Sequence, residues 1–65
     1  MYIKLYYSVE ENDKELESLR AVNYNDEEVS IDLNKYVGHK VNENLKNEIL
    51  NNLRGYFVTN WIREQ

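Results

Sequence analysis

Sixty-five residues make one domain, read as 1–65, and a chain this short hides only about 60% of its unfolded surface. It has no cysteine and one histidine, His39, which excludes disulfides, thiolate metal sites and multi-histidine sites. The net charge of −4 is uneven: nine acids against two bases between Ser8 and Leu33 give −7, and the flanks carry +1 and +2.

Residues 2–9 alternate cleanly, with Ile3, Leu5, Tyr7 and Val9 on one side and Tyr2, Lys4, Tyr6 and Ser8 on the other. That is the period of a half-buried strand. Residues 10–14 are polar and predict a hairpin loop. Residues 16–24 predict a second strand whose imperfect alternation calls for a bulge or for two partly covered faces. Asn23 to Asp26 supply turn residues, and residues 28–33 alternate again as a third strand. Asn34 to Gly38 predict a short capped turn.

From Val41 the period changes. Val41, Leu45, Ile49, Leu53 and Phe57 recur every four residues, the stripe of an amphipathic helix, with Asn42 placed as its N-cap and Glu43 in its first turn. Gly55 divides two readings. In the leading one the helix runs through to residue 63. In the alternative it ends at Gly55 and residues 56–62 form a fourth strand. The predicted fold is therefore α+β: a three-stranded antiparallel meander with one long C-terminal helix packed on it.

No catalytic constellation emerges. The carboxylate pairs flank predicted turns, His39 has no fixed acidic partner, and the two glycines, Gly38 and Gly55, cannot make a phosphate loop. The oxygen-rich stretches at residues 12–13 and 25–28 lack the spacing and glycine of a calcium loop. The expectation is a non-enzymatic chain without metal or cofactor.

Two surfaces stand out as binding candidates. The first is acidic: Glu10, Glu11, Asp13, Glu15, Asp26, Glu27 and Glu28, suited to a basic or DNA-binding surface on a partner. The second is apolar: Tyr56, Phe57, Val58, Trp61 and Ile62. On a continuous helix these residues do not share one stripe, since Val58 and Ile62 lie away from the Leu45–Ile49 face, and the end of the helix overhangs the sheet as an apolar knob. Tyr2 and Tyr6 share the face opposite the core with Lys4 alone, which favours packing or a protein contact over base stacking. Nucleic acid is disfavoured by charge.

The opening residues Met1 to Tyr7 hold no basic leader and no long apolar run, so no signal peptide or membrane span is expected, and the expected compartment is the cytoplasm, that of the host if the chain is viral. With no staple in the sequence, a homodimer or a place in a larger complex is expected. Residues with AT-rich codons (Phe, Tyr, Met, Ile, Asn, Lys) number 27 against 6 with GC-rich ones (Gly, Ala, Arg, Pro), the signature of a low-GC genome. In composition the chain resembles the small acidic early proteins by which phages take over a host. That likeness covers no motif and carries no residue over. It implies an inhibitor or modulator of a larger host protein, with a structural subunit of a virion or other assembly as the alternative.

Overall fold

A computed structural model describes residues 1–64. Four strands and one helix follow in the order β1 (Tyr2–Val9), β2 (Leu16–Asn23), β3 (Glu28–Val29), a 3-10 turn at Asn34–Tyr36, α1 (Glu43–Asn52) and β4 (Phe57–Arg63). The sheet order is β3-β2-β1-β4. β1 pairs antiparallel with β2 and parallel with β4, so the sheet is mixed.

The β1–β2 hairpin closes through its own side chains. The Glu10 carboxylate accepts from the backbone N–H groups of Asn12 (2.9 Å) and Asp13 (2.6 Å), and Lys14 takes a positive φ of 59°. β2 does bulge: Ser8 pairs with Ser18 but Val9 with Leu16, leaving Glu17 as the extra residue. At the other end Asn23 Oδ1 accepts from the N–H groups of Asn25 and Glu27, an Asx turn that returns the chain into β3.

Two features correct the predicted architecture. The third strand is only two residues long, not six. After Val29 the chain leaves the sheet, and Leu33 and Tyr36 are buried in the core from outside any strand. The long C-terminal helix does not exist. α1 is ten residues, capped at Asn42, whose Oδ1 accepts from Leu45 N at 2.8 Å, and it stops at Asn52. The chain turns at Gly55 (φ 87°), and Phe57–Arg63 is a strand beside β1. The parallel ladder is anchored from Phe57 N to Met1 O and from Glu64 N to Tyr7 O, each 2.8 Å.

Local physics explains the break. Asn51 and Asn52 are weak helix formers, and Tyr56 to Thr59 are aromatic or β-branched. Alternation is hidden because Thr59 is a bulge: Ile3 pairs with Val58 but Lys4 with Asn60. Val58 and Trp61 therefore fall on one face, three residues apart, which imitates a helical spacing.

The core lies between one face of the sheet and the α1 side. Ile3, Leu5 and Ala21 meet Leu33, Tyr36, Leu45, Ile49 and Leu53, all buried. Gly55 has open space around it, so only its backbone angle resists a side chain. Gly55→Ala should lower stability by about 1 kcal/mol, read as a lower urea midpoint with an unchanged slope.

Candidate binding face

The register of the ladders assigns each side chain to a face. Even-numbered residues of β1 lie opposite the core, and with them Ser18, Arg20 and Val22 of β2 and Phe57, Asn60 and Ile62 of β4. No described element covers this second face. It presents Tyr2, Tyr6, Phe57 and Tyr24, the last from the turn that follows β2.

The aromatics are held in place by neighbours. Tyr2 and Phe57 sit side by side on paired strands, ring centroids 5.5 Å apart and tilted by 31°. The Tyr24 hydroxyl hydrogen-bonds the Thr59 hydroxyl, which also donates to Ile3 O at 3.2 Å, so Tyr24 is drawn across the face. Lys4 Nζ lies 5.1 Å from the Tyr24 ring centre, and the Arg20 guanidinium 4.6 Å from that of Tyr6. Met1, Tyr2, Asn23, Tyr24, Asn25 and Thr59 line an open hollow of about 510 Å³. Phe57 is 66% exposed, Tyr2 62% and Tyr24 57%.

Both cations on this face are matched. Arg20 forms a two-point ion pair with Glu64, at 3.3 and 2.9 Å, and Lys4 lies 3.6 Å from Asp26. The hydrogen bond from Arg20 holds the Glu64 carboxyl below the usual carboxylate range, and the same bond raises Arg20. A face whose bases already meet carboxylates has little to offer phosphate.

The acidic residues are not brought together. Glu10, Glu11, Asp13 and Glu15 occupy the hairpin at one end of β1, and Asp26, Glu27 and Glu28 lie near the other, roughly 20–25 Å away along the strand. Several serve the fold. Glu10 closes its loop, and the N–H groups of Asp13 and Asn12 hold its carboxyl low. Glu27 accepts from the Asn23 side chain at 3.3 Å, and Glu15 bridges to Lys40 through the backbone.

The apolar group is divided as well, and the overhanging knob does not form. Tyr56, Val58 and Trp61 pack against the core, with Trp61 edge-on to Tyr7 at 6.2 Å and Lys46 of α1 5.6 Å from its ring. Phe57 and Ile62 turn to the uncovered face. The alternation of Tyr2 and Tyr6 in the sequence marked this face. Tyr24 and Phe57 joined it only through a turn and a parallel pairing that no local pattern signals.

Among the described residues no three His, Cys, Asp or Glu side chains gather where they could hold a metal ion, and no helix is long and apolar enough to cross a membrane. The His39 side chain borders a smaller, more polar hollow of about 270 Å³ with Lys40, Asn42, Asn44, Leu45 and Glu48. The chain matches no protein-family model, and no curated protein and no solved structure matches it.

Proposed function

We propose that this chain is a non-enzymatic interaction protein that inhibits or modulates a larger protein, acting in the cytoplasm and docking through the uncovered face of its sheet. The observation that carries the reading is the run of exposed aromatics, Tyr2, Phe57 and Tyr24, fixed on a small rigid sheet. Rigid aromatic anchors dominate protein interfaces, and exposed apolar patches of this kind mark contact sites. Acidic loops at both ends of the face favour a partner surface with basic margins, and such a field speeds encounter at low salt.

The test is capture from lysate of the source cell on the immobilised chain, compared with a Tyr24→Ser/Phe57→Ser double variant. Both side chains are exposed, so the fold should persist, as circular dichroism would confirm. A protein held by the native chain, indifferent to nuclease and lost at least tenfold with the variant, is the expected result. Equal retention on both would place the contact elsewhere, and nuclease-sensitive capture would make the partner a nucleic acid.

A further inference from the structure

The two edges of the sheet are treated differently. On the β2 side both ends of the strand are covered: β3 pairs with Ala21 and Val22, and the segment after the 3-10 turn bonds Lys14 and Leu16 through Gly38 N, His39 O and Val41 N. Along the outer edge of β4, the side away from β1, no described strand or loop pairs with Phe57–Ile62. Natural edge strands are blunted with charge, proline, a bulge or a covering loop, and of these β4 carries only the bulge at Thr59. Phe57 to Ile62 contain no charged residue and no proline.

We propose that β4 pairs antiparallel with β4 of a second copy, joining two sheets into one of eight strands around a two-fold axis at Asn60. The bulge is what makes the edge self-complementary. With Thr59 set aside, the remaining positions read Phe57 and Ile62 on the uncovered face, Val58 and Trp61 on the core face, and Asn60 between them. A two-fold axis at Asn60 places Phe57 opposite Ile62 of the second copy and Val58 opposite Trp61. Each apolar residue then meets an apolar residue on its own face. A regular strand with the same sequence would set these pairs on opposite faces, since shifting by one residue reverses every side chain.

Charge agrees with the antiparallel order. It carries Arg63 to Tyr56 of the second copy and Arg54 to within one residue of Glu64, whereas a parallel order would set Arg63 against Arg63. Covering a seven-residue edge and its apolar side chains on both copies removes on the order of 1,000 Å² from water, near the threshold for a specific interface. That is consistent with a dimer forming at micromolar concentration. The dimer stands independently of the partner proposed above, and edge pairing leaves the aromatic faces of both copies open and continuous.

The chain has no cysteine of its own, so a single introduced cysteine reports the axis directly. In this arrangement the two Asn60 Cα atoms lie about 5 Å apart, within disulfide reach. The two Arg63 positions are separated by about 20 Å. Under mild oxidation at micromolar concentration, Asn60→Cys should form a covalent dimer and Arg63→Cys should not. Absence of the Asn60→Cys dimer, or equal cross-linking at both sites, overturns the proposal. Sedimentation gives a second reading. Asn60→Lys sets two like charges face to face at an exposed position and should weaken self-association at least about tenfold while leaving the circular dichroism unchanged. A native chain that sediments as a monomer throughout the micromolar range also overturns it.

Discussion

Ile49→Ala should remove a large share of the protein's stability and lower its urea midpoint sharply. Ile49 is 1% exposed and lies on the inner face of α1, one turn from Leu45 and Leu53. Truncating a buried isoleucine costs about 2–5 kcal/mol, the transfer loss plus the cavity left behind. At 0.05–0.15 kcal/mol per residue, a domain of this length has only about 3–10 kcal/mol in total. A ten-residue helix has little stability of its own and depends on this stripe to stay docked. The measurement is urea unfolding followed by circular dichroism, with Leu50→Ala as the contrast. Leu50 is 41% exposed on the adjoining face, and its truncation should cost no more than about 0.5 kcal/mol. If the two variants unfold together, α1 is not held by the packing described.

Trp61→Ala should destabilise the fold by about 2–3 kcal/mol, less than for a fully enclosed ring because one side of the indole stays in water. The ring stands edge-on to Tyr7 of β1 and carries the Lys46 ammonium of α1 against it, so one side chain ties the edge strand to both the centre of the sheet and the helix. Tyr2→Ala, on the open face, should change stability by under about 1 kcal/mol. Equal urea midpoints for the two variants would return Trp61 to the role of a surface contact. The sequence places it among the apolar partner-contact residues. In the structure it packs, partly buried, against the core, and any contact with a second copy comes in addition.

What could be read from the sequence follows the distance over which each signal acts. β1, the hairpin, the β2 bulge and the Asn42 cap depend on neighbours within a few positions, and local pattern marks each of them. β3 failed because alternation at Val29, Ile31 and Leu33 shows only that these residues seek the core. Ile31 and Leu33 reach it from irregular chain, and their spacing cannot distinguish the two routes. The C-terminal segment failed for a different reason. Leu45, Ile49 and Leu53 are a true helical stripe, and Phe57 extends it by coincidence of number. The bulge at Thr59 then erased the alternation that would have revealed β4. The candidate sites follow the same rule: charge counts do not say where along the sheet the carboxylates fall, which is at opposite ends of β1, and the Tyr2–Phe57 contact depends on a pairing between distant parts of the chain.

That pairing also sets an order of events. β1 reaches β2 across a short hairpin, but reaches β4 only by bringing Ile3 to Val58 around nearly the whole chain. Loop-closure entropy rises by about 0.6 kcal/mol for each doubling of length, so the distant ladder starts about 2 kcal/mol behind the near one. Contacts of this range slow folding. The hairpin therefore forms ahead of the parallel ladder, and the single tryptophan, on β4, reports the later event. Its fluorescence in a stopped-flow trace follows closure of the sheet rather than first collapse. Until closure, one side of the central strand has only water for its backbone N–H and C=O groups.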